Sequence, residues 1–217
     1  MIREKFDHDN PKSFNQKFRA KRFRFFKSLV DQLPRPIYIL DIGGTEIYWQ
    51  MMNFADEPGV FFTLCNVDPQ KITRRNFQFM EADATDLSIF HDKQFDVVYS
   101  NSVIEHLFNY ERQQKMANEV RRIGKNYFVQ TPNLYFPLEP HWLFPFFQFL
   151  PSNLRVFITQ HFNIGGYKKT NSRELAQKRV DEVKLLSEAQ MRALFPDGTC
   201  YRERVLGIKK SICMYRF

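Results

Sequence analysis

Five short apolar runs, each closed by polar or turn-forming residues, constrain this chain more than any other feature. They are residues 37–41 (IYILD), 60–67, 76–80, 95–100 (FDVVYS) and 126–131 (NYFVQT). Each run is continuous rather than alternating, so a strand made from it cannot face water on either side. Helical stretches lie between them: 47–54, a helix starting at 103–107, and 111–123, which Gly124 is expected to cap. Strands alternating with helices build a parallel sheet covered on both faces. After Pro132 the rhythm breaks. Residues 132–170 are rich in proline and aromatics, helical signals return at 171–182 and 187–195, and 199–204 and 208–215 read as a closing hairpin near Gly207. The expected fold is therefore α/β, a doubly wound, seven-stranded, mostly parallel sheet. It carries an N-terminal helix and a helical aromatic insertion after strand five.

Before the first strand, residues 12–33 read as an amphipathic helix that Pro34 and Pro36 stop. Phe14, Phe18, Phe25, Leu29 and Leu33 share one side, and Lys17, Lys21 and Arg24 lie largely elsewhere. With 217 residues one domain is expected, divided as a basic helical lid (1–35), a ligand-binding core (37–131), a helical cap (132–198) and the hairpin (199–217). The charge is uneven: of a formal +8, residues 1–35 carry ten Lys/Arg against four Asp/Glu. Of 24 Phe, six fall in residues 1–35 and seven in 135–167. The opening MIREKFDHDN has no apolar core of a leader, and the most apolar run, 141–150, is half of a membrane span. Cys65, Cys200 and Cys213 show neither metal nor disulfide spacing. A cytoplasmic protein, with peripheral membrane contact as a further option, is the expectation.

The polar residues sit where a ligand would need them. In an open parallel sheet, ligands bind beyond the carboxyl ends of the strands. Asp41, Gly43, Gly44 and Thr45 follow strand one, Asp68 strand two, Asp83 and Ala84 strand three, and Asn101 and Ser102 strand four. Glycine lets backbone approach a ligand closely. A carboxylate after strand two can accept both ribose hydroxyls, and Asp83 can accept an adenine amino group. A pyrophosphate suits the first turn poorly, because it carries an acid and lacks G-x-G-x-x-G.

DIGGT, NVDP, EADATDL and FDVVYSNSVIEHL, in that order, resemble the motif series of class I S-adenosylmethionine-dependent methyltransferases, and of their small-molecule "type 11" group in particular. The resemblance covers residues 37–131, with Thr45 standing where the family has its last glycine. It implies a methyltransferase using S-adenosylmethionine. Asp41, Gly43 and Thr45 would lie at the methionine end, Asp68 at the ribose, Asp83 at the adenine amino group and Asn101 in the cofactor wall. Gly44, Ala84 and Ser102 complete that set.

A hydroxyl acceptor needs a group to receive its proton, and His is the commonest. His141, in FPLEPHW after strand five, is the leading candidate, with Glu139 or Tyr135 assisting. His106 is the second and His161 a lesser one, whereas His8 and His91 lie in polar surroundings. Glu105-His106 resembles the E-x-x-E-H metal motif of small-RNA 2′-O-methyltransferases and quinone-pathway O-methyltransferases, but Ser102 replaces its first Glu. His106 is therefore read as a packed neighbour of the cofactor, and no metal is assigned. The ten aromatics in residues 135–167 read as a cap packed on the sheet, an apolar acceptor wall or a membrane contact. The expected acceptor is a small molecule, a sugar or a lipid-like compound, with an anionic one as an option, and the reaction an O-methylation. A nucleic-acid methyltransferase fits the net charge. However, SNSV stands where base amino-methylation would place N/D-P-P-Y/F. A binding protein that has lost catalysis, and a dinucleotide dehydrogenase, fit the intact acids and the glycine pattern less well.

Overall fold

β1 (Ile37–Ile42) shows why the apolar runs do not alternate. Ile37 and Ile39 pack with Phe26, Trp49 and Phe54 on one face, while Leu40 and Ile42 pack with Val98, Met116 and Val120 on the other. The computed structural model describes residues 14–217, with side chains from Phe18 onward. The expected helix start at residue 12, the side chains of Phe14 and Lys17, His8 and the opening ten residues lie outside them.

β2 (Val60–Asn66), β3 (Phe77–Glu81), β4 (Phe95–Asn101) and β5 (Gly124–Pro132) run parallel to β1. A short ribbon, β6 (Leu138–Glu139) with β7 (Phe144–Pro145), follows. β8 (Thr199–Val205) and β9 (Ile208–Arg216) close the sheet as an antiparallel hairpin, β9 against β5. Leu206 and Gly207, both at positive φ, make its two-residue turn. The order is β3-β2-β1-β4-β5-β9-β8, so the winding reverses between β1 and β4, where a crevice opens beyond the strand ends.

Helix α1 (Phe14–Val30) and the short α2 (Glu46–Met51) cover one face of the sheet. α3 (Tyr110–Ile123) and α6 (Glu188–Leu194) cover the other. Between these, α4 (Ser152–His161) and α5 (Arg173–Glu182) pack with the aromatic segment around a core of their own: Trp142, Phe147, Val156, Ala176, Val180 and Val183.

Several expectations need correction. The fully buried stripe of α1 is Phe23, Phe26 and Val30 rather than the expected Phe18 side. Arg22, itself buried, reaches Glu203 on β8 at 2.7 Å and turns the helix. Gly124 does cap α3 as expected, in extended backbone, because α3 runs straight into β5 with no loop. The helix expected from residue 103 is a single 3-10 turn, Ile104–His106, flanked by Ser102 and Phe108 at φ +59° and +63°. The aromatic segment makes its own small core instead of packing on the sheet.

Candidate functional site

The crevice at the reversal is a cleft of about 340 Å³, lined at the ends of β1, β2, β3 and β4. Gly43 supplies its floor from β1, Asn66 and Val67 its wall from β2, Asp83 and Ala84 from β3, and Ser102 and Val103 from β4. Gly43 adopts φ +75°, and a Cβ there would lie 2.4 Å from Val103. Only glycine keeps that floor open. Its N–H is tied to the Cys65 carbonyl at 2.7 Å, so the turn is held before any ligand arrives.

Four of the expected cofactor residues therefore line the cleft: Gly43, Asp83, Ala84 and Ser102. Others stand behind it. Asp41 is buried beneath the turn, where its carboxyl accepts from the Trp49 indole at 2.7 Å. Burial pushes that carboxyl up to about 8, and the Trp49 bond only partly opposes the rise. Gly44 matters because a Cβ there would sit 1.7 Å from the Asp41 carboxyl. Thr45 lies in extended backbone and caps α2, accepting from the Tyr48 N–H at 3.3 Å. The position demands no positive φ, which explains a threonine where the motif has glycine. Asn101 accepts from Arg22 at 2.8 Å, away from the cleft lining. Asp68 is exposed, one residue beyond Val67 on the rim.

Asp83 is already engaged. One oxygen accepts from the Thr85 N–H and hydroxyl, and the other meets Arg112 at 2.7 Å. Its pKa lies below the usual range because these hydrogen bonds outweigh burial, which alone would raise it.

Beside the cleft, the histidines expected from two separate segments meet. His106 lines it, and its Nε2 lies 3.2 Å from Nε2 of His141. His141 Nδ1 is 2.7 Å from one oxygen of Glu139. The other oxygen of that buried carboxylate accepts from the backbone N–H groups of His141 and Trp142. Burial alone would lower the His141 pKa, but the Glu139 bond and charge raise it above its ordinary value. The 3-10 turn that aims His106 is pinned by Gln113, which donates to the Ile104 carbonyl at 3.1 Å. The Lys184 N–H, at 2.7 Å from the Glu105 carbonyl, pins it again. Tyr135 takes no part; it is exposed and stacks on Phe149. His161 is exposed at the end of α4 and bonds its own helix backbone.

A second cavity, of about 90 Å³, adjoins the first and shares Ser102 with it. Its walls are apolar, with Phe18, Phe136, Leu138 and Leu143 among them, and Arg19, Arg22, Lys210 and Glu203 supply charge. Burial brings the Lys210 ammonium down to about 8. Sequence reasoning missed Arg112, Glu182 and Lys210. Their residue types are ordinary surface choices on helices and strands, and only the tertiary crossing brings them to a cavity.

Residues 47–127 match the methyltransferase domain family. Over that stretch the chain is similar to methyltransferase domains. No curated protein matches it. Among solved structures it resembles a protein from Anabaena variabilis ATCC 29413 described as a methyltransferase of an antibiotic biosynthesis pathway. Identity there is 14%, the TM-score is 0.52, and the match covers 83% of this chain and 64% of that one. The CurJ carbon methyltransferase is 13% identical at TM-score 0.55, over 90% of this chain and 52% of that one. A Rhodobacter sphaeroides protein titled a Zn-dependent alcohol dehydrogenase superposes at TM-score 0.53 with 10% identity, covering 88% of each chain. At such identities these likenesses show a shared fold. The chain spans less than two thirds of the length of the Anabaena and CurJ chains.

Proposed function

We propose that this methyltransferase moves a methyl group from S-adenosylmethionine to a small, largely apolar hydroxyl compound, one that can carry a negative charge. The observation that carries this reading is the pair of cavities sharing Ser102, one lined by strand ends and the other by apolar side chains with a basic component. The strand-end cleft fits a nucleoside: Gly43 leaves its floor open, Asp83 offers an acceptor for an adenine amino group, and Asp68 stands at the rim within one residue of the lining for the ribose. S-adenosylmethionine supplies an already activated methyl group, so the protein's task is largely to position the acceptor. The second cavity would do that. Phe18, Phe136, Leu138 and Leu143 exclude water, and the cations favour an anionic group. His106 is the imidazole on the cleft wall, where a hydroxyl acceptor would have to lose its proton. Its contact with the Glu139-supported His141 supports O-methylation over transfer to carbon.

Calorimetry with S-adenosylhomocysteine tests the cofactor half. One equivalent should bind, and Asp68→Ala, at an exposed position, should weaken binding about tenfold, the effect of losing ~1.4 kcal/mol of contact. Unchanged affinity would remove Asp68 from the site. For the acceptor half, methyl transfer to a panel of hydroxylated aromatic and fatty acids should be lost in Leu138→Arg while S-adenosylhomocysteine still binds. Salt-sensitive binding to bulk tRNA, with no transfer to the panel, would favour a nucleic-acid acceptor instead.

A further inference from the structure

We propose that Glu105, His106 and His141 hold a divalent first-row transition-metal ion at the edge of the cofactor cleft. The carboxylate and imidazole donor atoms of these three residues lie within 4.8 Å of one another. Glu105 is completely buried; one of its oxygens accepts from the Thr131 hydroxyl at 3.0 Å, and the other, also buried, has no partner. A buried carboxylate oxygen left without a donor is costly, so it asks for a cation.

The two imidazoles converge on the same point. Glu139 can only accept, so His141 carries a proton on Nδ1, and its neutral form presents a lone pair at Nε2. His106 Nδ1 makes no hydrogen bond, its nearest carboxylate oxygen being that of Glu182 at 3.5 Å. The two Nε2 atoms face each other at 3.2 Å, with a proton or a cation needed between them. A shared proton would serve for the two rings alone, but it leaves the Glu105 oxygen unpaired. A metal ion satisfies all three groups. The spacing suits it, because two nitrogens on a tetrahedral ion with bonds of about 2.0–2.1 Å stand roughly 3.3 Å apart. Glu105 must close in by a side-chain rotation.

The support behind His141 is that expected of a metal-bound imidazole, a carboxylate held on its remote nitrogen. Two nitrogens and one carboxylate oxygen suit Zn²⁺, Co²⁺ or Mn²⁺ better than Mg²⁺ or Ca²⁺. Three protein ligands leave a position open, and His106 places it on the cleft. The use of that position, to hold an acceptor oxygen and ease loss of its proton, rests on the function proposed above; the site itself does not.

The test is metal binding by the untagged full chain, stripped with chelator and titrated separately with Zn²⁺, Mn²⁺ and Co²⁺. The result expected is one equivalent bound, with visible Co²⁺ bands of nitrogen and oxygen ligation and no thiolate charge-transfer band. Glu139→Gln should weaken binding by about 10–100-fold, the usual loss when a supporting carboxylate is removed. His106→Ala, His141→Ala and Glu105→Gln should each weaken it further. His106 is partly exposed, so His106→Ala should melt like the metal-free parent and keeps the test open if buried variants misfold. Absence of stoichiometric binding, thiolate bands, or unchanged affinity in His106→Ala overturns the proposal. S-adenosylhomocysteine calorimetry on the same stripped protein separates the two readings: cofactor binding without metal binding sinks only the metal site, and the reverse sinks only the cofactor half of the proposed function.

Discussion

Asp41 illustrates what a single residue can and cannot disclose. Its place at the end of an apolar run is enough to put it at the mouth of a parallel sheet. The direction of its carboxyl is decided by Trp49, eight residues on, whose indole draws it beneath the turn. Nothing in the local pattern distinguishes that pose from one facing the cleft. The consequence is a pH effect with a definite sign. The folded pKa, pushed up to about 8, lies above the ordinary unfolded value. Between roughly pH 4 and 8 the native state therefore binds the extra proton, and stability falls as pH rises across that window. Asp41→Asn keeps an acceptor for Trp49 and abolishes the titration. Urea midpoints at pH 5.5 and 8.5 should show the variant gaining on the parent as pH rises; a constant difference would mean that Asp41 is already ionised. Gly44→Ala tests the same contact sterically. Its Cβ would fall 1.7 Å from the Asp41 carboxyl, and the forced shift should cost about 1–3 kcal/mol in the same denaturation experiment.

At the scale of elements, the strands were the most legible part, because a short continuous apolar run bounded by turn residues has few other uses. The helices were less so. Helix α1 has two adjacent apolar stripes, and periodicity alone does not choose between them. The choice falls to the ion pair of Arg22 with Glu203, whose side chains are 6% and 2% exposed. Arg22→Ala leaves that carboxylate buried without its partner and should cost about 3–5 kcal/mol in unfolding free energy. The double replacement Arg22→Met with Glu203→Leu removes both charges and should recover most of the loss. If the double variant is as unstable as the single one, the packing volume of Arg22 and not its charge holds the helix. The aromatic segment was legible as an interruption but not as a structure. Its core around Trp142 depends on α5, more than thirty residues later, and no local signal links them.

For the molecule as a whole, alternating strands and helices implied the sheet and hence the cleft, whereas the cluster at His106 needed two segments crossing in space. Long-range charge follows the same rule, since the ion pairs that fasten the fold lie far apart in sequence. Glu46 ties α2 to the segment before β3, accepting from the Thr73 N–H and from Arg74, each at 2.8 Å. Burial alone would raise its pKa, but these bonds with those from the Thr73 hydroxyl and Gln50 bring it down to about 2. Glu188 fastens α6 to the hairpin; hydrogen bonds from Arg202, Lys209 and Arg192 outweigh burial and hold its carboxyl well below the usual range. A carboxylate depressed in the folded state stabilises above its unfolded pKa and loses that contribution as pH falls through the folded value. Asp41 and these two acids therefore tilt stability in opposite directions, and the crest should lie in mildly acidic solution. The acid limb can be isolated by difference. Repulsion from the net charge of +8 grows on acidification, but it grows alike in parent and variant. Glu46→Gln should be less stable than the parent at pH 6 and converge with it as pH falls from about 4.5 toward 2, because the parent then loses the same charge. Thermal melts across that range decide it: a gap that stays constant to pH 2 would show that Glu46 acts through shape and neutral hydrogen bonds alone.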